Sequence, residues 1–126
     1  MARILVIEDN AANMELLRYL LSKAGHGVIC ADDGAAGLAV LRRDIPDLVL
    51  CDLRMPRMDG YEFLFEVRSD DRLRGLGVIA VTAYSMPGDS ERALSAGFDG
   101  YVTKPLDPMT VVATIERFLP GTSTAD

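Results

Sequence analysis

Four short stretches carry side chains suited to chemistry, and each follows an apolar run. "RILVIED" ends in Glu8 and Asp9, "DLVLCD" in Asp52, "VIAVTA" passes through Thr82, and "DGYVTKP" ends in Thr103, Lys104 and Pro105. Taken singly, each has a plain structural reading. Acidic residues after a strand favour the positive N-terminus of the next helix, Asp52 starts a turn, Thr82 caps a helix, and Lys104 is a solvated side chain. Brought together, they have no such reading. Three carboxylates within a few ångströms repel one another and raise one another's pKa values, an arrangement that makes sense around a divalent cation. A few oxygen ligands suit Mg²⁺, which keeps waters and takes phosphate oxygen to complete its octahedron. Lys104 and Thr82 add a cradle for anionic oxygens, and Asp52, the middle carboxylate, is placed to attack phosphorus.

The elements must bring these residues to one place. Short β-branched or aliphatic runs recur at Ile4–Ile7, Gly27–Ala31, Asp47–Cys51, Val78–Thr82 and Gly100–Val102, each followed by a stretch of helical period. Strand and helix in alternation predict a parallel sheet covered by helices. The first, third and fourth runs are continuously apolar, as strands buried on both faces are, while "GVICAD" and "DGYV" suit the sheet edges. Right-handed crossovers then allow the order 2-1-3-4-5, a flavodoxin-like, doubly wound (βα)5 α/β fold with a five-stranded parallel sheet. All strands of such a sheet end on one side, so Glu8, Asp9, Asp52, Thr82 and Lys104 converge there, on strands ~4.8 Å apart. The buried third strand holds the Asp52 carboxylate rigidly, and "RMPRMDG" turns the chain away, with Gly60 expected to take an unusual backbone angle. Met14, Leu17, Leu20, Leu21 and Ala24 share one face of the first helix, which Gly25 stops. Asp107 and Pro108 are expected to start the last helix. Leu119-Pro120-Gly121 closes a domain spanning 1–120, and residues 121–126 are expected to form a short disordered tail.

Composition excludes several classes. The 126 residues, 49% hydrophobic and 25% charged, fit one globular domain. Thirteen basic against nineteen acidic residues give a formal charge of −6, a field that repels nucleic acid and anionic membrane. Cys30 and Cys51 lie in apolar runs without metal spacing and read as two small core residues in a reducing compartment. The apolar "RILVIED" begins within three residues of Met1, which leaves no room for a signal peptide, and no apolar run approaches the ~18 residues of a membrane span, so the expectation is a cytoplasmic protein; it is either a complete small protein, which Met1 favours, or a domain cut from a longer one. His26 lies in the loop "AGHGV" at the amino end of the second strand, opposite Asp52, and reads as a surface turn residue. The methionines are scattered and read as core or loop filling. No G-x-G-x-x-G follows a strand and no G-x-x-x-x-G-K-[ST] occurs, so phosphate-cradling loops are missing. A flavin carrier on the same sheet needs a Ser/Thr/Gly-rich loop after the first strand, where Glu8 and Asp9 would instead repel the cofactor phosphate; a colourless protein decides against it. A metal-dependent phosphatase of small substrates needs a cap and a second general acid that the short connections do not supply, and a panel of phosphomonoesters tests it.

"IEDN", "DLRMPRMDGYEF", "VTAY" and "YVTKPL", in this order and spacing, resemble the response-regulator receiver domains of two-component signalling, from Ile4 to about Leu119. Among these, "EDNAANMELL" and "VTAYSMPGDSERALSAGFDGYVTKPL" look most like single-domain cell-cycle regulators and the receivers of hybrid kinases. The resemblance implies a switch, not an enzyme with its own substrate. Asp52 would accept a phosphoryl group from the phosphohistidine of a histidine kinase or histidine phosphotransfer protein. Glu8, Asp9 and Asp52 would hold Mg²⁺ directly or through water, with the backbone carbonyl of Arg54 as a further ligand. Thr82 and Lys104 would bind the phosphoryl oxygens, and Tyr101 would be the aromatic switch on an output surface formed by the fourth helix, fifth strand and fifth helix. Arg54 and Tyr84 occupy the places that tune water access to the phosphoaspartate, and the Lys104–Pro105 bond would be cis.

Overall fold

The computed structural model describes residues 2–55, 57–83 and 88–119. Strands β1 (Arg3–Ile7), β2 (Gly27–Ala31), β3 (Leu48–Asp52), β4 (Gly77–Thr82) and β5 (Gly100–Thr103) alternate with helices α1 (Ala11–Lys23), α2 (Gly34–Arg43), α3 (Gly60–Ser69), α4 (Asp89–Ala96) and α5 (Val111–Glu116). All pairings are parallel, in the order β2-β1-β3-β4-β5 that the sequence predicts.

The central strands are apolar on both faces because helices cover both. Ile4, Val6, Leu48, Leu50, Ile79 and Val81 point to one side and meet Met14, Leu17 and Leu21 of α1 with Val111 and Ile115 of α5. Leu5, Ile7, Val49, Cys51, Val78 and Ala80 point to the other, against Leu41 of α2, Phe63, Leu64 and Val67 of α3, and Ala93 of α4. This is the period-two alternation of a strand, buried on both sides.

Helix ends follow local chemistry. Asn10 caps α1 by accepting from the Asn13 N–H, and Asp33 caps α2 by accepting from Ala36. Asp59 and Glu62 form a reciprocal capping box at α3. Gly25 (φ 96°) closes α1, with the His26 N–H reaching back to the Leu21 carbonyl.

Four expectations are corrected. Helix α5 starts at Val111 rather than at Asp107: Asp107 accepts from the Met109 N–H and, through its carbonyl, from Thr110 and Val111, which makes 107–110 a separate turn. Gly60 is not at a positive φ, where the described glycines are Gly25, Gly88 and Gly97; it is small because a Cβ there would lie 2.8 Å from the Asp52 carbonyl oxygen and 2.8 Å from the Leu53 Cα. The left-handed residue of that loop is Arg57, with φ 69°. Cys30 is exposed, since β2 is an edge strand, whereas Cys51 is buried. His26 does lie at the end of the sheet opposite Asp52, yet it is buried rather than a surface turn residue. Its Nδ1 accepts from the Ala2 N–H (3.1 Å), so the proton sits on Nε2, 2.7 Å from Glu116 Oε2. Tyr84, Pro56, Pro120 and the tail 121–126 lie outside the described residues.

Candidate functional site

The strand ladder continues one residue past the formal ends and so places the site. The Glu8 N–H donates to the Ala31 carbonyl, Leu53 to Val81, and Lys104 to Thr82. Along the strands the pleat carries Ile4 and Val6 into Glu8, Leu48 and Leu50 into Asp52, and Val102 into Lys104. Three charged side chains therefore leave the sheet on the side of α1 and α5, at one end. Thr82 follows Val78 and Ala80 and has the opposite parity, on the side of α4.

The contacts are short. Lys104 Nζ lies 2.8 Å from Asp52 Oδ2 and 3.2 Å from Glu8 Oε1. Asp52 Oδ1 accepts from the Arg54 N–H at 3.0 Å, so both oxygens of this buried carboxylate are held. Glu8 is 2% exposed, and its Oε2 accepts from the Asn10 N–H at 3.1 Å. Asn10 is a positioning contribution that the sequence reading did not single out, although an Asn immediately before a helical pattern is an N-cap signal.

Electrostatics follow the burial. Loss of solvent, with the Asp52 carboxylate beside it, pushes Glu8 up to about 7. Burial alone would lower the Lys104 ammonium, but its hydrogen bond to Asp52 and the charges of Asp52 and Glu8 hold it above its ordinary value. The cluster's positive member therefore stays charged.

Glu8, Asp9 and Asp52 each offer an oxygen within 4.8 Å of the others, and Glu8 Oε1 is a buried oxygen that accepts no hydrogen bond. A buried carboxylate oxygen that is ion-paired with Lys104 but accepts no hydrogen bond, in a cluster of three carboxylates, fits a hard divalent cation such as Mg²⁺. The remaining expected residues are also placed. Thr82 is buried at the end of β4, the Lys104–Pro105 bond is cis, and Tyr101 is half-exposed on β5, opposite Ala80. Tyr101 lines a groove of about 330 Å³ with Val102, Pro105, Thr110, Val111 and Thr114.

Residues 4–116 match the family described as the response regulator receiver domain. The chain belongs to that family. It is 37% identical over 116 residues to the polar-differentiation response regulator DivK of Brucella anthropi, covering 92% of this chain and 94% of DivK. The receiver domain of the sensor histidine kinase PA1611 from Pseudomonas aeruginosa PAO1, solved with a magnesium ion in its active-site cleft, is 32% identical with a TM-score of 0.84, over 93% of this chain and 96% of that one. The phosphorylated cyanobacterial phytochrome response regulator RcpA is 30% identical with a TM-score of 0.84, over 98% and 96% of the two chains. Membership places this receiver in two-component signalling and implies a histidine kinase as partner. Among the described residues, no helix is long and apolar enough to cross a membrane.

Proposed function

We propose that this receiver, over residues 1–120, is a phosphorylation switch whose acceptor is Asp52. What carries the reading is one observation: the Asp52 carboxylate, buried at the end of β3, lies 2.8 Å from the Lys104 ammonium with Glu8 beside it. Asp52 attacks the phosphorus of a phosphohistidine on a histidine kinase or histidine phosphotransfer protein. The new O–P bond forms as the P–N bond breaks, and the bonding pair returns to the imidazole nitrogen of the departing histidine. Lys104 and the Thr82 hydroxyl take the phosphoryl oxygens as charge shifts toward the sheet.

Glu8, Asp9, Asp52 and the Arg54 carbonyl are the ligands we assign to Mg²⁺, which when bound neutralises the carboxylates and the incoming phosphoryl oxygens. Arg54 and Tyr84 control the approach of water to the acyl phosphate. The chain turns over no substrate of its own beyond its slow self-dephosphorylation. The output is a change of surface across α4, β5 and α5, centred on Tyr101 and read by a downstream protein, not by nucleic acid or membrane, in the cytoplasm.

Acetyl phosphate with Mg²⁺ should give wild-type protein an acid-labile, hydroxylamine-sensitive label that Asp52→Asn lacks and EDTA prevents without unfolding. Undiminished labelling of Asp52→Asn moves the acceptor elsewhere.

A further inference from the structure

Among the described residues between Asp52 and α3, Arg57 and Met58 are held from outside the segment. Arg57 is the only residue other than glycine with positive φ among the described residues, at 69°. That region is disfavoured for any residue with a Cβ, and a glycine would take it freely. Such a conformation persists where neighbouring structure enforces it.

The neighbours are on α2. The Arg57 guanidinium donates to Asp33 Oδ2 at 2.9 Å, while Asp33 Oδ1 accepts from the Ala36 N–H at 2.8 Å as the cap of α2. Arg57 is 81% exposed and Asp33 only 17%, so the carboxylate is the fixed partner and the arginine reaches to it. Beside this pair Met58 lies directly on the first residue of α2: a Cβ at Gly34 would stand 2.8 Å from the Met58 sulfur. At the loop's two ends, the Arg54 N–H is bound to Asp52 Oδ1 and the Gly60 N–H to the Leu53 carbonyl.

We infer that Arg57 is a positioning residue for the phosphoacceptor site: its ion pair with Asp33 clamps the loop after β3 to the start of α2 and so fixes the Arg54 backbone against Asp52. The inference rests on the reading of Asp52 and the Arg54 carbonyl given above. It reaches the site through the loop, since Arg57 itself touches none of the acidic cluster. A side chain is kept at a left-handed position because the clamp needs its guanidinium.

The test separates positioning from stability. Arg57→Gly removes the clamp but also relieves the left-handed backbone, and Asp33→Asn keeps the cap of α2 while removing the opposite charge. Two quantities are read by NMR: hydrogen exchange of the Arg54 amide in metal-free protein, and Mg²⁺ affinity by titration. Both variants should show faster Arg54 exchange and ~2- to 5-fold weaker Mg²⁺ binding, the range of an exposed ion pair. The thermal midpoint of Arg57→Gly should stay within ~2 °C of wild type, and Arg57→Lys should recover part of the Mg²⁺ affinity. Unchanged Arg54 exchange, or unchanged Mg²⁺ affinity with loosened exchange, overturns the inference, as does a loss that merely follows a falling thermal midpoint. A wild-type protein that takes up no Mg²⁺ overturns the reading of the site itself, and this inference with it.

Discussion

Lys104 Nζ, from the end of β5, stands 2.8 Å from Asp52 Oδ2, from the end of β3, so the ammonium spans the intervening end of β4. This cation contacts two carboxylates that belong to the ligand set proposed for Mg²⁺, so the ammonium and a bound Mg²⁺ would repel. Lys104→Ala is therefore expected to bind Mg²⁺ several-fold tighter, by roughly 1 kcal/mol at an effective dielectric intermediate between water and the interior. The same variant should label far more slowly from acetyl phosphate, because the phosphoryl oxygens lose their ammonium. Mg²⁺ titration and labelling on one preparation check both halves. Labelling at the wild-type rate would remove Lys104 from the transfer.

Glu8 is expected to make both stability and metal binding depend on pH. Its folded value of about 7 lies above its ordinary 4.5, so between those limits the native state holds a proton that the unfolded chain has lost. Stability from this group in metal-free protein accordingly falls as pH rises through that window. As a proposed ligand of Mg²⁺, Glu8 would have to give up the same proton, so the ion's affinity should climb about tenfold per pH unit below about 7 and then level off. Titrations at about pH 5.5 and about pH 7.5 measure it, with Glu8→Gln as the variant whose slope is flattened. Equal affinities at the two pH values contradict the assignment.

Gly60→Ala tests the contact between α3 and the end of β3. The added methyl would meet the Asp52 carbonyl oxygen and the Leu53 Cα, each at 2.8 Å, and neither backbone atom can swing aside. A loss of ~1–3 kcal/mol in denaturant unfolding is expected, with slower labelling because Asp52 moves with its carbonyl. Gly25→Ala, where the new Cβ meets nothing within 4 Å, loses only the left-handed preference. If Gly60→Ala unfolds no earlier than wild type, close approach is not why a glycine stands there.

The sheet order and the meeting of Glu8, Asp52 and Lys104 were legible because both rest on local signals. Continuously apolar runs ending in a charged residue are written within a few residues of each site, and parallel strands share one direction. What escaped depends on partners distant in the chain or on loop chemistry. His26 is buried through Ala2 and Glu116, 24 and 90 residues away, so its loop sequence reads as surface. Cys30 sits in the run "GVICAD", which reads as a sheet edge, but nothing in that run says which of its residues the helices leave uncovered. Pro108 resembles a helix start until Asp107 is seen to close its own turn. The left-handed backbone expected at Gly60 falls at Arg57 instead, because steric approach and left-handed backbone both favour glycine, and only coordinates separate them.

A phosphoryl group at the sheet's end needs a route to the surface. Thr82 is 4% exposed and lies on the same side of the sheet as Tyr101, because Tyr101 pairs with Ala80 and Thr82 pairs with Thr103. Under the proposed function, phosphoryl oxygens on Asp52 should draw the Thr82 hydroxyl inward by a hydrogen bond, with the half-exposed Tyr101 ring expected to fill the space left toward α4. The two conformations then differ by one charge-assisted hydrogen bond, worth ~1.5–3 kcal/mol, so the unphosphorylated protein should already populate the inward form at the per-cent level. Thr82→Ala should still accept phosphate at Asp52, since the nucleophile and Lys104 are intact, yet transmit little of it to the ring. Fluorotyrosine NMR reads the Tyr101 environment directly, with Tyr101→Phe identifying the resonance and beryllofluoride standing in for the phosphoryl group. In wild-type protein beryllofluoride should shift that resonance to a less solvent-exposed position, and in Thr82→Ala the shift should largely vanish while labelling at Asp52 persists. A full shift in Thr82→Ala would mean that the ring responds through something other than the threonine.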